Sequence, residues 1–512
     1  MPQSPCGSEF FNAAEIVLGQ ASRLKDKTAF IHSGGSVSYA ELLSLANQAA
    51  NAFSGIGIGH GSRVGLMQKD TPLYCAAFLG LVKAGAVAVP LNPRLPVGSY
   101  VSMLSEAKLS LLVADREHLT MLSDAAHASG TRILASDGGG ETLERLMGAA
   151  PDAFAAAPTR RHDPAFWLFS SGTTGNPKGI IHSHASCADG GKLLREAIGA
   201  NEQTLVLHTS KMFFTYALDN AFLGPINIGA STILIDTWPE PEQIVEQVAR
   251  HRPNVLFSVP TFYRRLLNLG AERLAPLKTV TYFYSAGERL PDVIALAWRE
   301  AVGKDIHSCY GMSESHTNAL ACFPGKQRLG ATGRLLDQVQ ARLLNHSGNE
   351  VGTGEPGVMW IKHPSLALGY HNPEETAKAF RDGWFCTGDL FVRDEQDYYY
   401  HQGRADELLR VAGQWVKPAE VEEAVLADAR LREAACVVVP DRDGFDRLAL
   451  FVVAVSPGEG KTVAEARCQQ SLPQYSRPKW ICEVTELPRT PTGKVQRFRL
   501  REVLVAELGR EA

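Results

Sequence analysis

No two of the nine cysteines stand as a CxxC pair. They are scattered as Cys6, Cys75, Cys187, Cys309, Cys322, Cys386, Cys436, Cys468 and Cys482, and the count is odd. That excludes a disulfide framework or a cysteine zinc site and fits a reducing cytoplasm. Charge of one sign is also lacking: the formal net charge is −4 over 512 residues, which gives no electrostatic basis for binding nucleic acid or an anionic membrane. Residues 1–11 lack a basic start followed by an apolar core, so no signal peptide is expected. The longest apolar stretch, 74–91, contains Lys83 and Pro90 and reads as a buried helix followed by a buried strand rather than a membrane span. No GxSxG elbow and no HExxH pair occurs, which removes the usual signatures of serine hydrolases and zincins. Gly460-Lys461-Thr462 is not a Walker loop, because Val455 stands where its first glycine belongs.

What is present suits one large and one small domain. Hydrophobic residues make up 45% of the chain, enough for sizeable cores. Residues 38–53 are predicted to form a helix capped by Ser38, with Glu41 completing a capping box. Strands are predicted at 63–68, 87–90, 111–115 and 131–136, with a helix at 73–84. The rhythm resumes at 166–169, 204–207, 231–235, 255–259 and 279–284 after a glycine-rich turn at 137–140 and an alanine-rich connection at 149–158. Such alternation predicts layered α/β structure with largely parallel sheets. Beyond residue 320 the texture becomes strand- and turn-rich, as at 339–344 and 358–362. After Gly403 comes a small α+β pattern: a helix over 416–427, strands at 434–439 and 448–455, and a final helix near 499–508. No internal repeat or heptad run is present.

The most informative segment is Phe169-Ser170-Ser171-Gly172-Thr173-Thr174-Gly175-Asn176-Pro177-Lys178-Gly179. Its glycines let backbone N–H groups approach an anion closely, and its four hydroxyls and Lys178 add donors and positive charge. This composition suits a polyphosphate.

The string from Ser171 to Gly179 resembles the phosphate loop of the adenylate-forming superfamily: acyl- and aryl-CoA synthetases, adenylation domains of peptide synthetases, and luciferases. Further segments follow in that superfamily's order, so the resemblance covers roughly residues 10–505. Tyr310-Gly311-Met312-Ser313-Glu314 is similar to its aromatic-Gly-x-Thr/Ser-Glu motif. The resemblance implies that Tyr310 meets adenine, Ser313 the α-phosphate region and Glu314 Mg²⁺, a hard oxygen ligand on a phosphate-bound cation. Ser285-Ala286-Gly287-Glu288 resembles the segment that passes adenine and the acyl pocket. Trp384-Phe385-Cys386-Thr387-Gly388-Asp389 resembles the TGD motif and implies that Asp389 holds the ribose hydroxyls. In Gly403-Arg404-Ala405-Asp406-Glu407, Arg404 is implied to reach the ribose and Asp406 to act as a pivot. Gly413 falls in a loop resembling the one used for thiol transfer, in which Arg410 replaces the usual lysine. Lys494, in Pro488-Arg-Thr-Pro-Thr-Gly-Lys494-Val-Gln-Arg497, is implied to be the adenylation lysine.

The implied organisation is a large N-terminal domain (1–403) of layered α/β subdomains plus a β-rich subdomain, a hinge (404–407) and a small mobile C-terminal α+β domain (408–512). The implied chemistry uses ATP and Mg²⁺ to form an acyl-AMP from a carboxylic acid, then transfers the acyl group to coenzyme A. The segment from His208 to Asn220 contains Lys211, Phe213, Phe214 and Tyr216 and resembles benzoate-type CoA ligases. The implied acyl pocket is Phe213, Phe214, Tyr216, Ser285, Met312 and His316; counting back from Gly229, Tyr216 falls where amino-acid adenylation domains place an aspartate, with Asp219 close by. Benzoate, hydroxybenzoates and anthranilate remain open as substrates, as does a non-aromatic acid. No serine-bearing carrier segment follows the Lys494 motif, so the thiol is expected in trans: coenzyme A, or a separate carrier protein. The protein is expected to be a cytoplasmic monomer or homodimer.

Overall fold

The apolar runs Arg63–Met67, Val87–Pro90 and Leu111–Ala114 are buried almost throughout, as strands covered on both faces must be. In the computed structural model they form the parallel centre of a seven-stranded sheet. The structure describes residues 10–171, 177–405, 409–411, 414–416, 418–441, 446–489 and 495–510. By packing, the chain divides into two compact units: Met1–Ala341 with Ile361–Phe385, and Arg342–Trp360 with Cys386–Ala512.

The first unit holds two large sheets. In one, the order is Gly369–Tyr370, Pro177–Ser183, Pro164–Ser171, Val87–Pro90, Arg63–Met67, Leu111–Ala114, Arg132–Ala135. In the other, nine strands run Arg334–Leu335, Leu320–Ala321, Ile306–Tyr310, Tyr282–Ser285, Val255–Ser258, Leu205–His208, Ser231–Ile233, Thr28–His32, Gly35–Ser38. Both sheets reverse their winding. From Leu205–His208 the chain goes first to Ser231–Ile233 on one side, then to Val255–Ser258 on the other. A crevice at the carboxyl ends of strands at such a reversal is where open α/β sheets take ligands.

The helix Tyr39–Gly55 starts at Ser38, whose side chain and Glu41 form both bonds of a capping box. It packs on Pro72–Lys83, which is buried on nearly every side and accounts for the apolar stretch read from the sequence. Lys83 is tolerated there because its Nζ reaches Asn47 Oδ1 at 2.7 Å and Glu15 Oε1 at 2.8 Å. No described helix is long and apolar enough to cross a membrane.

In the second unit, Leu431–Pro440 pairs antiparallel with Asp446–Ala454, which pairs parallel with Trp480–Glu483. Alternate residues feed two cores: Cys436, Leu450 and Val452 pack with Val421 and Val425. Ala435, Val437 and Phe451 pack with Leu500 and Leu504. This is the period of two that a strand imposes. One boundary differs from expectation. Val416 belongs to the strand Gln414–Val416, and the helix is Pro418–Leu426; Pro418 suits a first helical position, where no N–H is required.

The contact between the two N-terminal helices depends on Gly80. A Cβ there would lie 2.6 Å from Ala49 Cβ and 2.8 Å from the Ala50 backbone nitrogen. Gly80→Ala is therefore expected to destabilise the first unit by about 1–3 kcal/mol, read as a lower urea midpoint without a change in the far-UV circular dichroism of the folded protein.

Candidate functional site

The glycine-rich segment joins Pro164–Ser171 to Pro177–Ser183, an antiparallel hairpin in which Ser170 faces Lys178 across the ladder. Gly172, Thr173, Thr174 and Gly175 lie outside the described residues, as does the side chain of Ser171. Lys178 Nζ is 3.1 Å from Glu375 Oε1, and both side chains are partly exposed. The same Nζ stands 5.7 Å from the Tyr370 ring centroid. Tyr370 in turn donates from its hydroxyl to Glu314 Oε1 at 2.8 Å, and the Glu314 carbonyl accepts from Ala367 N–H at 2.8 Å. The fold thus gathers Lys178, Tyr370, Glu314 and Glu375, of which the sequence had singled out only Lys178 and Glu314.

Tyr310 ends the strand Ile306–Tyr310. Gly311, Met312, Ser313 and Glu314 then enter a turn tied by Ser315, whose hydroxyl accepts from Met312 N–H at 3.3 Å. His182 Nε2, 2.8 Å from the Ser313 carbonyl, donates to it; burial depresses the pKa of this imidazole to about 4. His316 closes the turn in a left-handed conformation, φ 58°, uncommon for a residue with a side chain. It is buried, and its pKa falls well below the usual histidine range through burial and its neighbours His182 and His363.

Ser285 ends the neighbouring strand, is fully buried and has no hydrogen-bond partner for its hydroxyl. Ala286 is buried, Gly287 has a φ of 86° and Glu288 is exposed. One row back, the parallel register aligns His208, Phe257, Tyr284 and His307 across four strands. Their rings follow one another at 5.7, 5.6 and 5.2 Å. Tyr216 packs edge-on to His208 at 4.6 Å and to Phe257 at 5.9 Å. Its hydroxyl lies 3.7 Å from Cys309 Sγ, which reaches the Ser285 carbonyl at 3.5 Å. Phe213 and Phe214 meet edge to face at 4.3 Å, and Phe213 also packs near Trp238. The aromatic contacts thus form two sets, one around Phe257 and one of Phe213, Phe214 and Trp238.

Two charged residues of this stretch serve the fold. Lys211 is buried and paired with Asp70 at 2.9 Å; its ammonium also donates to the Ile235 and Thr237 carbonyls. Asp219 is buried and accepts from Gly191 N–H at 2.7 Å, and burial raises its carboxyl pKa to about 7. The backbone over Leu218–Leu223 is π-helical.

In the second unit, Asp389 and Arg404 are cross-strand partners. Arg404 Nη1 donates to Asp389 Oδ1 at 3.2 Å and to the Thr387 carbonyl at 2.9 Å. Gly388 has a φ of 72°, which favours glycine, and a Cβ there would also make the Arg404 guanidinium, 2.8 Å away, give way. Asp406, Gly413 and Lys494 lie outside the described residues.

No group of three or more histidine, cysteine or carboxylate ligands occurs among the described residues. Mg²⁺ carried on substrate phosphates needs only one or two protein carboxylates, and Glu314, held by the Tyr370 hydroxyl, is one that this site offers.

The sequence did not point to Tyr370, Glu375, His182 or Thr215. Their signals are tertiary: Tyr370 lies in a two-residue strand paired with Pro177–Ser183, and no local pattern marks it.

A hairpin lysine beside a carboxylate in one α/β unit, and an acid–guanidinium pair in the other, define an α/β protein built to handle a nucleotide. The chain matches the AMP-binding enzyme family over residues 18–371 and the AMP-binding enzyme C-terminal domain over residues 420–494, and it belongs to that family. It is 37% identical to the 3-hydroxybenzoate–CoA ligase of Aromatoleum sp. (strain CIB), over 98% of each chain. It is 38% identical to the 3-hydroxybenzoate–CoA/4-hydroxybenzoate–CoA ligase of Thauera aromatica, over 97% of this chain and 98% of the relative. Its fold superposes on the anthranilate CoA ligase AuaEII, solved in complex with anthranoyl-AMP, with a TM-score of 0.91, 29% identity and coverage of 98% and 99%.

Lys211→Met is expected to cost about 3–5 kcal/mol, because it leaves the Asp70 carboxylate buried and unpaired. The double variant with Asp70→Leu should recover much of that loss in equilibrium unfolding. Tyr370→Phe is expected to raise the Mg²⁺ concentration needed for half-maximal activity by about 10–100-fold, the usual effect of removing a hydrogen bond that orients a metal ligand. A Mg²⁺ titration at fixed ATP checks this, and an unchanged requirement would remove Tyr370 from that role.

Proposed function

We propose that this chain is an AMP-forming aryl-CoA ligase. It activates an aromatic carboxylic acid of the benzoate, hydroxybenzoate or anthranilate type with ATP and transfers the aryl group to coenzyme A. The observation that carries this reading is the aromatic character of Phe213, Phe214, Tyr216 and Phe257, in a segment whose Thr215 bonds His316 at the end of the Glu314 turn, in a chain alignable end to end with ligases of such acids.

The substrate carboxylate oxygen attacks the α-phosphorus of ATP in line. An aryl-AMP forms as the bond to pyrophosphate breaks. Lys178 exchanges its partly exposed partner Glu375 for phosphate oxygens, an inexpensive exchange for a solvated pair. Bound at Glu314, Mg²⁺ supplies Lewis-acid neutralisation of the phosphate charge. Tyr310 and the 285–288 segment take the adenine, Asp389 and Arg404 the ribose hydroxyls, and Lys494 the reacting carboxylate and α-phosphate oxygens. In the second step the coenzyme A thiol, losing its proton, attacks the aryl carbonyl and AMP departs. Gly413 allows close passage of the pantetheine, and Asp406 is the pivot by which the small domain exchanges Lys494 for the Gly413 loop. No protein nucleophile is consumed, because the substrate carboxylate supplies one and the thiol the other. The eight free cysteines of the described chain favour a reducing compartment, the cytoplasm.

The test is AMP formation from ATP and Mg²⁺ across benzoate, hydroxybenzoates, anthranilate, medium-chain fatty acids and amino acids, with and without coenzyme A. The expected result is AMP release that needs both an aromatic acid and coenzyme A. Pyrophosphate release without coenzyme A turnover would instead point to a carrier-protein thiol. Lys494→Ala is expected to abolish aryl-AMP formation while purified aryl-AMP still reacts with the thiol; equal loss of both steps would contradict its assignment.

A further inference from the structure

We propose that Glu375 competes with the nucleotide's phosphates for Lys178, and so sets how tightly ATP is held and how readily pyrophosphate leaves. The inference rests on the adenylation reading above, in which Lys178 meets the polyphosphate, and gives that site a residue that governs its affinity.

Lys178 stands on the strand that follows the glycine-rich segment. Its Nζ lies 3.1 Å from Glu375 Oε1, and the two side chains are 28% and 30% exposed. The cation offered to the phosphates is therefore already neutralised by a carboxylate of the same chain. This pair is too solvated to be a buried pin of the kind that Lys211 makes with Asp70. Nor is it what attaches the helix Pro373–Ala379, which carries Glu375, to the hairpin. Other contacts do that. Tyr370 pairs with Ile180 in antiparallel register. His371 N–H donates to the Gly179 carbonyl at 2.8 Å, and Tyr370 N–H donates to Thr376 Oγ1 at 2.9 Å. Gly369 packs so closely on Thr376 that a Cβ there would lie 2.6 Å from the threonine methyl. With the helix anchored in this way, the Glu375 carboxylate contributes charge rather than attachment.

Neither partner is stranded when the pair opens. Lys178 passes to phosphate oxygens. Glu375 stays in the first turn of its helix, where the N-terminal end favours a negative charge, and keeps its contact with solvent. Lys178 is thus divided between a paired state and a free one, and a polyphosphate takes the free one. The apparent dissociation constant rises by the inverse of the fraction of protein that is competent to bind. That factor acts on ATP as it enters. It acts equally on pyrophosphate once the bond to the α-phosphorus has broken, because Glu375 is at hand to take the lysine back. AMP has no β- or γ-phosphate and stands outside the competition.

The experiment measures the dissociation constants of ATP, pyrophosphate and AMP by titration calorimetry, with Mg²⁺ and without any acid, so the result does not depend on which acid is activated. The proteins are wild type, Glu375→Gln, Lys178→Met and the double variant. Glu375→Gln is expected to bind ATP and pyrophosphate about two- to fivefold more tightly, the range set by a partly exposed ion pair. Its affinity for AMP should be unchanged, which also reports that the nucleotide site is intact. The gain should shrink towards one as salt is raised, because salt screens the pair in the wild type. In the Lys178→Met background, Glu375→Gln should change nothing. Unchanged or weaker binding of ATP and pyrophosphate by Glu375→Gln, an equal gain for AMP, or a gain that survives without Lys178 would overturn the inference and leave the ligase reading standing. Lys178→Met that binds ATP and pyrophosphate as tightly as the wild type would remove Lys178 from the phosphate site and overturn both.

Discussion

Four strands lying in parallel register decide where the residues of the first unit's site fall. Because Leu205–His208, Val255–Ser258, Tyr282–Ser285 and Ile306–Tyr310 all end on the same side, their last residues and the turns that follow them collect along one edge. A one-residue slip would send His208, Phe257, Tyr284 and His307 to the opposite face, and Tyr216 would lose the rings it packs against. The hydrophobic cluster beneath, with Trp298, Tyr263 and Leu256 fully buried, holds that register. Burial of a large side chain contributes about 1.5–3 kcal/mol, so the sheet edge is fixed by apolar packing remote from any reacting atom.

Charge is treated differently in the core and at the edge. Lys83 and Lys211 are buried, and each is surrounded by oxygen acceptors. Such pairs contribute little net stability but are costly to break, so they act as fixed pins between distant segments; Lys211 joins the start of the aromatic segment to Asp70. Lys178 with Glu375, and Arg404 with Asp389, are partly exposed. Pairs of that kind are worth about 0–1 kcal/mol and yield readily to a better partner. In the function proposed above, a phosphate for the lysine and ribose hydroxyls for the carboxylate are such partners.

Much of this architecture was legible in the residues. Period and caps revealed the helix after Ser38 and nine of the sixteen strands of the two sheets, because those segments bury faces whose pattern the chain spells out locally. The glycine-rich string, Glu314, Asp389 and Arg404 were visible as motifs. What was not visible depends on partners far away in sequence. Lys211 shows in the sequence only as part of the string that ends in Tyr216; its partner Asp70 is far off in the chain. Asp219 shows only as an aspartate near Tyr216; the Gly191 N–H on its carboxylate is a tertiary contact. Tyr370 carries no pattern at all, since two residues of strand hold too little sequence to show a period. Val416 was misplaced because its apolar neighbours continue a helical rhythm that Pro418 interrupts only two residues later.

The turn from Tyr310 to His316 shows why such a site resists being read from motif alone. Its glutamate is fixed from one side by the Tyr370 hydroxyl and through the backbone by Ala367 and His182, three residues from two separate segments. The same turn delivers His316 to Thr215 on a third. One loop therefore holds Glu314 and His316 together. Displacing either by an ångström displaces the other, and catalysis that depends on position is sensitive to errors of that size. The placement of Glu314 and His316 is in this sense a single geometric property, set by how tightly residues 310–317 are held and not by any one side chain.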